Sequence, residues 1–175
     1  MAAFEGLVYR ALNPRYAREP LSGAGAAIYG GRFNAKGVPA LYTSLSVMTA
    51  IREANQVGTL QPTTLVCYRA FIENVFDATD PRGLVAYGVT PADLASHDWR
   101  DAMRREGLAP TQRLAARIMG DAFAAMLAPS FARGAGHEDR NLVIWQWGAD
   151  RSARLNVIDD DDRLGLRAVE KGSAP

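Results

Sequence analysis

The chain has 175 residues, 48% of them hydrophobic and 22% charged, and its 20 Lys and Arg against 19 Asp and Glu leave a net charge of +1. That length sets the expectation of one domain whose core holds without a metal or disulfide staple. The near-neutral balance, with Arg104-Arg105 as the one adjacent basic pair, argues against a nucleic-acid binder, which concentrates basic charge on a face or stripe.

The single Cys67 excludes an intramolecular disulfide and points to a reducing compartment. The stretch Met1 to Arg10 has neither a basic n-region nor an apolar h-region, so no secretory signal is expected. No apolar run approaches the ~20 residues that span a bilayer. A soluble, cytoplasmic protein is the expectation.

In chain order, Leu7 to Leu12 predicts a first strand, and the small residues through Gly23-Ala24-Gly25 predict a surface loop. Gly30-Gly31 marks a tight bend or a close backbone approach, and Pro39 to Thr43 a short strand. Ser44 or Ser46 caps a helix running to about Val57 and closed by Gly58. Val47, Ala50, Ile51 and Ala54 fall at helical spacing and predict its buried stripe. Thr64 to Ile72 predicts a strand with Cys67 as an inert buried thiol. Residues 80–106 read as short helical pieces broken by Gly83, Gly88 and Pro91. Thr111 to Leu127 keeps the helical period through Leu114, Ala115, Ile118, Ala122, Ala125 and Met126, until Pro129. Asn141 to Trp147 and Arg154 to Ile158 predict two strands joined by a turn at Gly148 to Ser152. A frayed tail follows Leu166. Strands at both ends with helices between make an α+β pattern: one domain over residues 1–166 and a flexible tail over 167–175.

Several chemistries are set aside by spacing. His97, His137 and Cys67 share no zinc-ligand spacing, and neither a phosphate loop nor a dinucleotide fingerprint occurs. Asp159 to Asp162 lacks the spaced ligands of a calcium loop and reads as a solvated turn. No nucleophile-elbow motif supports a Ser-His-Asp site. Three segments remain: Tyr9-Arg10-Ala11, then Gly30 to Asn34 with Pro39 to Ser44, then the helix carrying Glu53. Singly, Arg10 and Arg32 also fit surface arginines, Tyr42 a core aromatic, and Glu53 a solvated helix glutamate. At about 100° per residue Glu53 lies beside Ala50 at the border of the stripe, where a carboxylate reaches a cleft, while Arg52 points away.

Together, Tyr9-Arg10-Ala11, Gly30-Gly31-Arg32-Phe33-Asn34, Ala40-Leu41-Tyr42-Thr43-Ser44 and Ala50-Ile51-Arg52-Glu53 resemble the RES domain family. Thr111-Gln112, Leu127-Ala128-Pro129-Ser130 and Asn141-Leu142-Val143-Ile144 extend the resemblance over residues 7 to 165. Phe33 stands where the family often has Trp. The resemblance implies central β-sheets flanked by helices, as in bacterial ADP-ribosyltransferases, and a toxin of a toxin–antitoxin pair with an Xre-type antitoxin as partner. It implies NAD⁺ as substrate, no metal, and Arg32, Glu53 and Ser130 as the catalytic set, with Arg10, Arg32, Tyr42 and Thr111 binding NAD⁺. Either Ser130 or Thr111 supplies the key hydroxyl.

Those residue types suit cleavage of the nicotinamide–ribose bond. Nicotinamide leaves a cationic pyridinium as a neutral ring and needs no general acid, so the task is to stabilise an oxocarbenium-like ribose. Glu53 is the carboxylate for it. Arg10 and Arg32 offer planar forks to the pyrophosphate, Tyr42 a ring for the nicotinamide, and Ser130 a hydroxyl for the carboxamide or ribose. The leading expectation is an enzyme transferring ADP-ribose to a host protein. The alternative is an NAD⁺ glycohydrolase or phosphorylase that depletes the cell's NAD⁺. A non-enzymatic binding module and a ribonuclease toxin rank below both.

Overall fold

The computed structural model describes residues 2–56, 59–148 and 152–166. In chain order its elements are β1 (Ala2–Leu12), α1 (Ala24–Tyr29), β2 (Leu41–Ser44), α2 (Val47–Ala54), β3 (Thr64–Asp77), α3 (Pro81–Val85), α4 (Pro91–Ala95), α5 (Trp99–Glu106), α6 (Pro110–Gly120), β4 (Ala125–Pro129), β5 (Arg140–Ile144) and β6 (Ala153–Val157). This is the α+β class that the sequence predicts.

The strands form a sheet whose pairing returns to its start. β1 runs antiparallel to β3 over most of its length. The last residues of β3, Val75 to Asp77, pair in parallel with β4. β4 pairs with β5, and β5 with β2, both antiparallel. β2 then rejoins β1 through the bridge Tyr9–Ser44, and β6 extends the sheet beside β3. Because β1 and β2 share so little pairing, they splay apart beyond that bridge, and a cleft opens between them.

Closing the sheet encloses one apolar cluster that includes Val8, Leu41, Tyr68, Ile72, Leu142, Ile144 and Leu155. A second forms where Met126, Val143 and Trp145 pack against Phe33, Leu84, Leu94, Leu114 and Ile118. Full burial of each such aliphatic side chain contributes about 1.5–3 kcal/mol. β5 and the residue after it therefore feed both clusters, Leu142 and Ile144 on one side and Val143 and Trp145 on the other.

Four expectations are corrected. The long helix stops at Gly120; Ala122 turns the chain at φ 64°, and Ala125–Pro129 is strand β4. Ala125 and Met126 are buried in opposite clusters, and such a two-faced strand shows no alternation to separate it from a helix. Residues 24–29 form α1 rather than a loop. On α2 the buried residues are Thr49 and Ala50, while Val47 and Ala54 are exposed, because a polar network holds this helix. Cys67 is half-buried, with its thiol pKa raised chiefly by desolvation.

Elsewhere Ser46, not Ser44, caps α2, its Oγ accepting the Thr49 N–H at 3.0 Å. The helix ends at Ala54; Val57 and Gly58, residues 149–151 of the expected turn, and the tail 167–175 lie outside the described residues. The three short helices fall within 80–106, with Pro91 starting α4. No helix among the described residues is long and apolar enough to cross a membrane.

Candidate active site

The cleft between β1 and β2 is a cavity of about 500 Å³, within the usual range for small-molecule sites. Arg10 reaches it from β1, Arg32 and Phe33 from the loop after α1, Tyr42 and Ser44 from β2, and Glu53 and Gln56 from α2 and its end. Trp99 and Arg100 close it from α5, Phe131 from the segment after β4, and Asn141 from β5. Glu53 is the one carboxylate among these described lining residues.

That carboxylate is held from three sides. Its Oε1 accepts from Ser130 Oγ at 2.6 Å and from Asn141 Nδ2, and its Oε2 from Gln56 Nε2. Asn141 is fixed in turn, since its Oδ1 accepts from Ser44 Oγ at 2.7 Å. Ser44 is the β2 residue that bridges to β1, so the network sits where the two strands part. Charge-assisted bonds of this kind are the stronger class of hydrogen bond.

Each arginine is anchored through one nitrogen. Arg32 Nη1 donates to Leu94 O and Ser96 O, both at 2.7 Å, and its guanidinium lies 4.6 Å from the Phe131 ring centroid and 5.8 Å from that of Trp99. Arg10 Nη1 donates to Pro20 O at 3.2 Å and Ser22 O at 3.1 Å. Burial lowers the pKa of both, opposed at Arg32 by the Glu53 carboxylate and at Arg10 by Tyr68. An arginine keeps its charge regardless. Both thus present oriented cations to the cavity.

The loop bearing Arg32 is built for rigidity. Gly30 has φ 71°, and a Cβ on Gly31 would lie 2.3 Å from the Tyr42 hydroxyl oxygen, so the expected bend and close approach are both present. The Tyr42 hydroxyl accepts the Phe33 N–H at 3.0 Å and donates to Asn34 Oδ1 at 2.8 Å. Fully buried Asn34 donates to Ala26 O and Val38 O, both at 2.8 Å. Gln112 Nε2 donates to Gly31 O and Asn34 O, and Trp145 Nε1 to Phe33 O. Burial first of all pushes the Tyr42 phenol up, so it stays protonated as this clamp requires.

Of the residues singled out by sequence, Arg10, Arg32, Tyr42 and Glu53 line one cavity, and Ser130 joins them by its bond to Glu53. Thr111 does not line it. Its side chain is buried in the first turn of α6, and Oγ1 has no hydrogen-bond partner among the described residues. Its neighbour Gln112 reaches the arginine loop instead. Sequence reading placed no site role on Ser44, expected only as an alternative helix cap, or on Gln56, Trp99, Arg100, Phe131 or Asn141. Asn141 alone carries a signal, as a polar residue opening the apolar strand Leu142-Val143-Ile144. Arg52, expected to point away, pairs with Asp139 at 3.0 Å.

The α+β domain thus presents one clamped carboxylate among anchored arginines where its sheet splits. The RES domain family matches residues 7–167, and the chain belongs to that family. RES domains are associated with toxin–antitoxin-type, NAD-related enzymes. No curated protein matches the chain.

Proposed function

We propose that this protein is the toxin of a toxin–antitoxin pair and cleaves NAD⁺ at the nicotinamide–ribose bond. The observation that carries the reading is Glu53: one carboxylate, fixed by Ser130, Asn141 and Gln56, facing a cavity with two anchored arginines. When the C1′–N bond breaks, its electron pair goes to the nicotinamide ring, which becomes neutral, and positive charge develops on the ribose. A fixed carboxylate stabilises that charge without having to reorganise. Arg10 and Arg32 supply charge for the pyrophosphate, and the Tyr42 ring forms wall beside them. The bacterial ADP-ribosyltransferase likeness belongs to this reading, as does the Xre-type antitoxin as partner.

The charge of the walls bears on the acceptor. The described lining holds three arginines, Arg10, Arg32 and Arg100, and no carboxylate besides Glu53 to take a proton from an acceptor. A protonated amine or a guanidinium would be repelled by those cations, whereas neutral water or anionic phosphate would not. That observation puts NAD⁺ depletion ahead of transfer to a host protein. Transfer to a protein carboxylate is the second reading, because an anionic acceptor suits the same walls.

Purified protein incubated with NAD⁺ tests both. Nicotinamide released in buffer, faster with phosphate if phosphate is the acceptor, supports depletion. Release that needs cell lysate and labels a discrete protein supports transfer. A folded protein that releases none under either condition refutes the reading.

A further inference from the structure

Packing alone does not place Glu53, since α2 buries only Thr49 and Ala50. The helix is gripped by the connection between β4 and β5, and the grip centres on Asp139. Both Asp139 oxygens lie 3.0 Å from Arg52 Nη1, and Oδ2 accepts the Gly136 N–H at 2.7 Å. Its Oδ1 accepts from Thr49 Oγ1. An ionised carboxylate only accepts, so the Thr49 proton points at Asp139. The Ser46 hydroxyl, 2.7 Å from Thr49 Oγ1, therefore donates to Thr49. These bonds hold the Asp139 carboxyl below its usual range, the one from Thr49 contributing most.

The same residue reaches the clamp on Glu53. Its backbone carbonyl accepts the Ser130 N–H at 2.9 Å, and Asn141 lies two residues further along β5. Thr49 is one helical turn before Glu53, and Arg52 is its direct neighbour. Asp139 thus ties α2, beside its carboxylate, to both residues that donate to Glu53 Oε1. It does so from outside the described cavity lining.

We propose that Asp139 is a positioning residue for Glu53, locking α2 to Ser130 and Asn141 so that the carboxylate faces the cavity in one orientation. The inference rests on the NAD⁺-cleaving reading for its kinetic readout and on the geometry alone for a second one. A small misplacement of a reacting group costs up to about a hundredfold in rate.

The test compares nicotinamide release by wild type, Asp139→Ala, Asp139→Asn, Glu53→Gln and the double variant Glu53→Gln/Asp139→Ala. Asp139→Ala should lower kcat on the order of tenfold to a hundredfold, while KM for NAD⁺ stays within about twofold, as for an interaction that serves the transition state. Asp139→Asn, which can still accept from Thr49, should fall less. On the Glu53→Gln background, removing Asp139 should cost nothing further. Equal losses on both backgrounds, or an unchanged kcat, would overturn the proposal. The second readout needs no substrate: the side-chain amide resonances of Asn141 should shift in Asp139→Ala and stay put in Arg133→Ala, an exposed residue of the same connection. If wild type releases no nicotinamide, the NAD⁺ reading fails by itself. An unmoved Asn141 amide in Asp139→Ala then still rejects the role given to Asp139.

Discussion

A carboxylate that accepts from Ser130, Asn141 and Gln56 has its shape needs and its charge needs in separable parts. Glu53→Gln keeps an oxygen for Ser130 and Asn141 and nearly the same volume, so the fold should hold. It removes the negative charge opposite the ribose, and turnover of NAD⁺ should fall on the order of a hundredfold or more. A nicotinamide-release assay on the folded variant checks this; turnover near wild type removes Glu53 from the reaction. Arg32 makes the complementary case. Its flat guanidinium donates to Leu94 and Ser96 while lying over Phe131, and an ammonium cannot reproduce a plane. Arg32→Lys should therefore lower kcat/KM for NAD⁺ by about tenfold or more although charge is kept. Unchanged kinetics would reduce Arg32 to a diffuse positive charge.

Among the elements, the strands facing one core and a second layer were legible in part. β1, β2, β3, β5 and β6 each overlap a predicted strand, since their residues are β-formers bounded by turn residues. β4 was not legible, because Ala125-Met126-Leu127 suits a helix by propensity and its burial on both faces erases the two-residue period. α1 was hidden by its composition: Gly25 and Ala26 line the cavity, where small side chains leave room, and small residues read as loop. The site shows the same division. Arg10, Arg32, Tyr42 and Glu53 stand in local segments that a reader of sequence can single out, whereas Ser44, Asn141 and Gln56 matter only through partners that folding delivers. The arginine loop yields an element-scale prediction. Gly31→Ala drives a methyl into the Tyr42 hydroxyl and Asn34, so it should destabilise by about 1–3 kcal/mol, the usual cost of overpacking. Thermal unfolding should show a Tm lower by roughly 3–10 °C, with NAD⁺ turnover falling as Arg32 is displaced. Gly120→Ala, where a Cβ meets nothing within 4 Å, should not lower Tm and serves as the control.

For the whole molecule, the cleft that would bind NAD⁺ is also the natural point of control. An enzyme that consumes NAD⁺ must be silenced in the cell that makes it, and Arg10 and Arg32 offer a partner two oriented cations. Ile28 and Tyr29, 63% and 72% exposed, add apolar surface on α1, and Tyr29 itself lines the cavity. An Xre-type antitoxin that inserts an acidic segment there would compete with the dinucleotide. With Glu53→Gln protein, to spare the ligand, NAD⁺ at ten times its Kd should weaken antitoxin binding about tenfold by mass action. Calorimetric titration at rising NAD⁺ reads this directly, and an affinity indifferent to saturating NAD⁺ would place inhibition at a remote surface.

The bonds from Ser130 and Asn141 to Glu53 also set an order in time. They span 77 and 88 residues of sequence, and translation proceeds from the N-terminus. A ribosome therefore carries Glu53 through a long stretch of elongation before the residues that hold it exist. A polypeptide released before residue 130 has the charge and the arginine loop, but neither Ser130 nor Asn141 with its strand β5. The clamped carboxylate exists only in a chain that has grown past Asn141.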